Sequence, residues 1–588
     1  MQVNNTAIPR PEHPRPDFER KHWMNLNGTW RFDFDDTDRG EKEKWYLDHD
    51  FEREITVPFC YQSKLSGIGD ESHHEVLWYQ REFTVPSDFD GKRIFLHFGA
   101  VDYFAKVWVD GVYLGSHTGG YLPFKFDITD YVKTDATTTH KVTVRVEDSR
   151  SCIQPRGKQN WKDEPFGCWY TPVSGIWQTV WLEAAGMVYA ERVRITPNVD
   201  ERSVFFETYL NSVPEEAKLQ ITISYQGEKV NQILTDVKER CIRTTINLLE
   251  TDKVDAIHYW WPSNPCLYDV DITVYSGETA IDQVSTYFGM RKVHCDNGWV
   301  YINNIPFYQK LILDQGYWPD SLLTPPSDEA IILDIEMTKK FGYNGARKHQ
   351  KIEDPRYYYW ADKMGLLVWG ELPSSYDFCT EEMENIFDTM KGFIDRDYNH
   401  PCIITWVPLN ESWGVRNIYA DKKQQKFARG LYHLIKALDD SRLVSTNDGW
   451  EHVDTDIGSI HDYTAWGHEL SPEYSDIDQA VKGAPNKYRN TFAKGFNYTG
   501  QPVLCTEYGG IAFEKDSGNG NWGYNGAVKD EEEFLKRFGD ITRAFKAMPY
   551  MRGYCYTQLT DVFHEVNGLM DMNRKPKVDP DRVAEINK

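Results

Sequence analysis

Ile404-Thr405-Trp406-Val407-Pro408-Leu409-Asn410-Glu411-Ser412-Trp413-Gly414 and Pro502-Val503-Leu504-Cys505-Thr506-Glu507-Tyr508-Gly509-Gly510 are two apolar, strand-like runs that each end on a glutamate. A carboxylate where a buried strand meets a loop is costly to desolvate unless it is paired, so two such ends suggest a working pair. Cleavage of a glycoside needs one carboxylic acid to protonate the leaving oxygen and one carboxylate across the anomeric carbon. The structural alternative is a pair of buried carboxylates held by Arg or Lys.

Working outward, the chain after about residue 289 alternates apolar strands with helical stretches, the pattern of parallel βα units. Eight strand ends can be counted. They are Leu311 to Gln315, Asn344 to Arg347, Leu366 to Glu371, the Glu411 run, Leu443 to Asp448, Ile457 to Tyr463, the Glu507 run, and Gly553 to Gln558. Helices fit between them, as at Asp328 to Phe341 and Gln424 to Asp439. Eight strands close a (β/α)8 TIM barrel, and Glu411 and Glu507 then end strands four and seven at the C-terminal rim, where such barrels carry their chemistry.

Upstream, no long helical period is found. Residues 1–185 hold short alternating strands such as Gly28 to Phe34, Trp78 to Val85, Ala105 to Gly111 and Val142 to Val146, the pattern of a jelly-roll β-sandwich. Residues 186–288 continue with Arg192 to Pro197, Leu219 to Tyr225 and Tyr268 to Tyr275, enough for one immunoglobulin-like β-sandwich without the Cys and Trp placement of antibody domains. Residues 289–588 complete the chain as the barrel.

Composition narrows the partners. At 588 residues and a net charge of −24, the chain has little of the basic surface that nucleic acid or an anionic membrane requires. A neutral carbohydrate fits more easily, although a local Arg or Lys can override the global field for an acidic sugar. The start Met1-Gln2-Val3-Asn4-Asn5-Thr6 has no basic region followed by an apolar stretch, and no run approaches a membrane span, so a cytoplasmic location is expected. The ten cysteines lack C-x-x-C spacing, and Cys402, Cys505 and Cys555 lie in apolar runs, so they are read as reduced and structural. Twenty Trp suit β-rich cores and sugar stacking alike.

With these residues in place, the chain resembles glycoside hydrolase family 2, which includes bacterial β-galactosidases, β-glucuronidases and β-mannosidases. The resemblance rests on Asn399-His400-Pro401 leading to Asn410-Glu411-Ser412, on Thr506-Glu507-Tyr508-Gly509, and on Val173-Ser174-Gly175-Ile176-Trp177. It implies that Glu411 is the general acid/base, that Glu507 is the nucleophile, and that Asn410 binds the sugar 2-hydroxyl. Arg347 and Tyr463 are expected to hydrogen-bond Glu507 and keep it ionised. Glu411 is expected to stay protonated through apolar surroundings and repulsion from the second carboxylate. His461, Asp462, Gln315, Trp522, Tyr556 and Trp169 complete the candidate sugar-binding set.

Strand-end His349, His461 and Asp462 have no zinc signature. The stretch Glu371-Leu372-Pro373-Ser374-Ser375-Tyr376 lacks the ligands of the magnesium site that some β-galactosidases of the family carry, so no metal and no cofactor are expected. Arg347-Lys348-His349-Gln350-Lys351 replaces the family's Arg-x-x-His-Tyr-Pro, and Gln315 replaces its His at the end of strand one. The Asp ahead of Trp-x-x-Ser-Gly in β-galactosidases is missing before Cys168-Trp169-Tyr170, and the Asn-x-Lys pair by which β-glucuronidases hold a carboxylate has no clear counterpart, which counts against a β-glucuronidase. The expectation is a retaining exo-β-glycosidase, β-galactosidase-like. The alternatives are a β-glucuronidase, β-mannosidase or β-glucosidase on the same scaffold, or a non-catalytic carbohydrate-binding protein. Two loops are singled out: Glu514 to Ala527, with Asn519, Trp522 and Tyr524, as a lid or aglycone wall, and the aromatic loop with Trp161, Trp169 and Tyr170 as one side of the barrel mouth or a domain interface. The resemblance also implies a homo-oligomer, dimer or tetramer.

Overall fold

The computed structural model describes residues 8–214, 216–248, 257–513 and 521–588. Its first unit is a sandwich of two antiparallel sheets. Arg53–Val57, Gly28–Phe34, Val76–Thr84, Thr139–Glu147, Phe104–Val109 and Val112–Thr118 form one sheet in that order, and Trp23–Asn25, Val180–Ala185, Arg93–Phe98 and Phe124–Asp127 the other. Strict alternation puts Trp30, Phe32, Tyr79, Leu96, Val107 and Val144 between the sheets. The second unit is a sandwich with seven strands among the described residues, whose inner faces contribute Val204, Phe206, Leu219, Ile221, Val270 and Ile272.

The barrel strands are β1 (Gln309–Asp314), β2 (Gly345–Lys348), β3 (Leu367–Glu371), β4 (Ile403–Val407), β5 (Leu443–Val444), β6 (Gly458–Asp462), β7 (Val503–Gly509) and β8 (Met551–Thr557). All ladders among them are parallel, in the order β5-β4-β3-β2-β1-β8-β7-β6. Between β5 and β6 no ladder runs among the described residues. Contacts just beyond β5 close the ring there: His461 N–H donates to the Gly449 carbonyl at 3.2 Å, and the Ser445 and Ser459 hydroxyls lie 3.4 Å apart. Helices follow the other strands: α1 (Asp328–Lys340), α2 (Pro355–Met364), α3 (Thr380–Asp397), α4 (Lys422–Leu438), α5 (Ile477–Lys482), α6 (Glu531–Ala547) and α7 (Pro580–Asn587). Their ends carry the expected signals. Ser327 caps α1 by accepting from Ala330 N–H, with Asp328 and Glu329 in the first turn and Lys339 and Lys340 in the last.

The two glutamates are placed differently from the sequence expectation. β4 stops at Val407, because Pro408 has no N–H for a further ladder bond, and Glu411 sits in the turn beyond it. That turn is tied to the loop after β5: Glu411 N–H donates to the Asp448 carbonyl, and Asp448 N–H to that of Leu409, both at 2.9 Å. Glu411 and Ser412 have φ of +52° and +59°, a left-handed conformation that is uncommon without glycine and that clusters at functional sites. Glu507 instead lies within β7, two residues before its end.

Candidate active site

The carboxylates of Glu411 and Glu507 converge on one space at the C-terminal rim. Oxygen atoms of both and a ring nitrogen of His461 all lie within 4.8 Å of one another. Glu507 is 4% exposed. Arg347 on β2 donates from Nη1 to its Oε1 at 3.1 Å, and the Tyr463 hydroxyl to its Oε2 at 2.6 Å. Arg347 is itself fully buried and also meets Glu371 at 2.7 Å and Asp448 at 3.0 Å, so three carboxylates share one guanidinium. Its Nη2 donates to Asn410 Oδ1 at 3.0 Å. That bond fixes the Asn410 amide and leaves its buried Nδ2 without a partner among the described residues.

Glu411 is more open, its side chain 19% exposed. His461 Nδ1 lies 2.8 Å from its Oε1, and His461 Nε2 lies 2.9 Å from Asp448 Oδ2. Burial alone would lower His461, but Glu507, Asp448 and Glu411 surround it and raise it to about 10, so the ring is an imidazolium at neutral pH. Burial likewise pushes Glu411 up, and here the His461 hydrogen bond and charge outweigh it, with Lys158 and Arg347 beyond, so the carboxyl ends below its usual range. This runs against the expectation of a protonated Glu411: beside a charged imidazole its carboxylate form is favoured. His349, 2.8 Å from Glu371, is held well below its usual value by burial and by Lys158 and Arg347, and is neutral.

The Glu411, His461 and Glu507 cluster is the one metal-compatible group among the described residues. Its donors are already engaged, because both imidazole nitrogens face carboxylates and the Arg347 guanidinium neutralises Glu507. The residues therefore suit proton transfer better than a cation.

The first unit reaches this rim in the same chain. Its segment 156–170 lies against the loops after β2 and β3: Arg156 and Gly157 N–H donate to the Ser374 carbonyl, and the Tyr376 hydroxyl donates to that of Gly157. Gly157, at φ +60°, is required there, since a Cβ would run into the Gln350 carbonyl. Trp169 packs edge-on against Trp413 at 5.2 Å and Tyr376 at 5.5 Å, two residues beyond Glu411 in the first case. The Tyr170 hydroxyl donates to Glu565. Trp522 donates from its indole to the Gly167 carbonyl at 3.2 Å, and Tyr524 stacks on Tyr463 at 3.5 Å. The aromatic loop is thus a contact between the first unit and the barrel rim, beside Glu411. Asn519 and the rest of 514–520 lie outside the described residues.

Two candidate sugar-binding residues do not face the site. Asp462 follows His461 on β6, so strand alternation turns it away, where it accepts from the Tyr474 hydroxyl at 2.9 Å and from Thr464 N–H at 2.8 Å. Tyr556 points out of the barrel for the same reason, its ring 5.2 Å from that of Phe538 on α6 and its hydroxyl donating to the Asn567 carbonyl. Gln315 donates from Nε2 to Gln558 Oε1 at 3.0 Å, leaving its own buried Oε1 unpartnered. Sequence reasoning missed Asp448, Glu371, Lys158 and Glu565 as members of the site. Glu371 ends β3 and Asp448 ends the strand-like run Leu443 to Asp448 of the sequence, so both were visible as strand-end acids; the others arrive from outside the strands.

Comparison with known proteins agrees with this architecture. Three family models match: "Glycosyl hydrolases family 2, sugar binding domain" over residues 23–184, "Glycosyl hydrolases family 2" over 188–291, and "Glycosyl hydrolases family 2, TIM barrel domain" over 327–538. A β-galactosidase of Thermoanaerobacter pseudethanolicus is 29% identical over 68% of this chain, which spans about half (52%) of that relative's length. A β-glucuronidase of Rattus norvegicus is 24% identical over 83% of this chain and 77% of its own. The crystal structure of Ruminococcus gnavus β-glucuronidase superposes with a TM-score of 0.78 at 18% identity, covering 99% of this chain and 100% of the other, a likeness of fold. Sandwich, immunoglobulin-like unit, barrel and all three matches agree: the chain belongs to glycosyl hydrolase family 2.

Proposed function

We propose that the protein is a retaining exo-β-glycosidase in which Glu507 is the nucleophile and Glu411 the acid/base. The observation that carries this reading is that an oxygen of each carboxylate lies within 4.8 Å of the other, a short approach that suits retaining pairs, whose carboxyl groups sit about 5 to 5.5 Å apart, better than inverting ones. The surroundings divide the roles. Glu507 receives a guanidinium N–H and a phenol O–H, donors that suit an anion attacking the anomeric carbon. Glu411 shares a proton with His461, and the pair delivers it to the leaving oxygen as the glycosyl–Glu507 bond forms. Glu411 then takes a proton from water, which attacks the anomeric carbon and releases Glu507. Asn410 Nδ2 is the orphaned donor suited to a sugar hydroxyl, here the 2-hydroxyl.

Trp169, Trp413, Trp522 and Tyr524 narrow the mouth, which favours one terminal sugar. Relatives bearing both β-galactosidase and β-glucuronidase names make these the two leading sugars. A panel of nitrophenyl β-glycosides, with NMR of the first-formed anomer, tests the reading. Turnover giving the β-anomer supports it, first formation of the α-anomer overturns retention, and binding without turnover favours a carbohydrate-binding protein. A cytoplasmic location and a dimer or tetramer belong to the same proposal, to be tested by fractionation and light scattering.

A further inference from the structure

Among the cations at the barrel mouth, Lys158 stands apart. Arg347 meets three carboxylates at 2.7 to 3.1 Å, Lys348 meets Asp314 and Glu353 at 2.8 and 2.9 Å, Lys351 meets Glu353 at 2.7 Å, and His461 is flanked by Glu411 and Asp448. Lys158 is 8% exposed, and among the described residues its Nζ has a single acceptor, Cys168 Sγ at 3.3 Å. No carboxylate oxygen of a described residue lies within 4.0 Å of it. The Trp169 ring is 5.9 Å away, too distant to replace an anion. Burial works against this ammonium, and Cys168, Tyr376, Glu565 and Glu411 around it hold it charged, yet only the thiol lies at hydrogen-bond distance, so two of its three N–H groups have no acceptor among the described residues.

The ammonium lies beside the barrel rim: its acceptor Cys168 precedes Trp169, whose ring is 5.9 Å from Nζ and 5.2 Å from that of Trp413, two residues beyond Glu411, and its charge is felt by Glu411, Glu565 and His349. The two carboxylates that feel its charge stay beyond 4.0 Å and are turned to other partners, at one oxygen of Glu411 and at both of Glu565. Glu411 Oε1 faces His461, while Glu565 accepts from Tyr170 at one oxygen and from Asn567 Nδ2, at 3.0 Å, at the other. The backbone is also held in place, by the 2.7 Å bond from Tyr170 N–H to the Lys158 carbonyl and by the glycine-only approach of residue 157 to Gln350.

We propose that Lys158, carried into the barrel mouth by the first unit, binds a carboxylate on the terminal sugar, so that the preferred substrates are β-linked uronides. This rests on the glycosidase reading above and names its substrate class. A net charge of −24 gives such a substrate no long-range attraction, so recognition falls to a local, desolvated cation.

The test compares nitrophenyl β-glucuronide and β-galacturonide with their methyl esters, which keep the ring and lose the charge. For the native enzyme kcat/KM for the better acid should exceed that for its ester by about 100-fold or more, chiefly in KM. In Lys158→Met that preference should collapse to within about tenfold, while Lys158→Arg should keep most of it. Native enzyme that prefers the ester, or a neutral galactoside or glucoside, overturns the substrate class and leaves the glycosidase reading intact. An acid-over-ester preference that survives in folded Lys158→Met overturns the role of Lys158. Failure of the native enzyme on every glycoside, dinitrophenyl ones included, overturns the glycosidase reading itself.

Discussion

Removing the Glu411 carboxylate separates the two glutamates most sharply. Glu411 makes one side-chain hydrogen bond, to His461, and the imidazolium keeps Asp448 at 2.9 Å and Glu507 at 3.5 Å when that bond is lost. Glu411→Ala should therefore cost the fold only about 1.5 to 3 kcal/mol, the range for one hydrogen bond to a charged group. Its effect on chemistry is larger and selective. A general acid contributes about 10²- to 10⁴-fold, or about 3 to 5 kcal/mol of barrier, and only where the leaving group needs a proton. Nitrophenyl and alkyl glycosides should lose that much in kcat/KM, while dinitrophenyl glycosides should keep theirs within about tenfold. With the base also missing, the glycosyl–Glu507 intermediate should accumulate, and azide, filling the space of the carboxylate, should restore turnover and yield the β-glycosyl azide. Glu507→Ala should spare no substrate and yield the α-azide. The assay is steady-state release of nitrophenolate with NMR of the azide product. An α-azide from Glu411→Ala would exchange the two roles, and an undiminished rate on alkyl glycosides would remove Glu411 from the mechanism.

His461 sets the pH response. Its folded value of about 10 against an ordinary 6.5 means that its pairing stabilises the fold fully below about pH 6.5, and that this contribution is lost as pH rises through 10. Urea midpoints should fall between pH 7 and 10 in the native protein and fall less steeply in His461→Asn; parallel curves would exclude a paired imidazolium. The same variant should move the alkaline limb of kcat/KM down by more than about one pH unit, because the shared proton is then held by Glu411 alone. Asn410→Ala should lower kcat/KM by about 10²-fold on the normal glycoside and far less on its 2-deoxy analogue, and equal losses on both would place Asn410 elsewhere. Trp169→Ala should reduce kcat/KM on a disaccharide without lowering the melting temperature much, whereas unchanged kinetics with a lowered melt would leave it only an interface role.

The fold was legible because its signals are periodic and local. Strand alternation marked both sandwiches, and the change to apolar strands spaced by helices marked the barrel. The boundary errors have local causes too. Glu411 falls outside β4 because one proline ends the ladder, and β5 shrinks to Leu443–Val444 because the loop after it turns to bridge β4 and β6 instead of entering a helix. Period two also explains why Asp462 and Tyr556 failed as site residues. Each neighbours an inward-facing position, and a strand offers its inner face only every second residue.

The electrostatics of the site were less legible because they depend on partners far apart in sequence. Apolar surroundings suggested a protonated Glu411, but the decisive neighbour is an imidazolium fifty residues later, itself raised by Asp448 and Glu507. The same limit applies to the sugar. A search for a carboxylate ligand near the barrel strands passes over Lys158, which sits in Pro155-Arg156-Gly157-Lys158-Gln159 of a β-sandwich and reaches the rim only because Gly157 lets that backbone lie on Gln350. A large side chain at residue 157 would lift the segment off the barrel and withdraw the ammonium, leaving Glu411, Glu507 and Arg347 in place. Gly157→Val should therefore weaken selection of the acid over its ester while dinitrophenyl glycosides still turn over. A variant that loses both activities together would show that the segment supports the catalytic pair as well as the sugar.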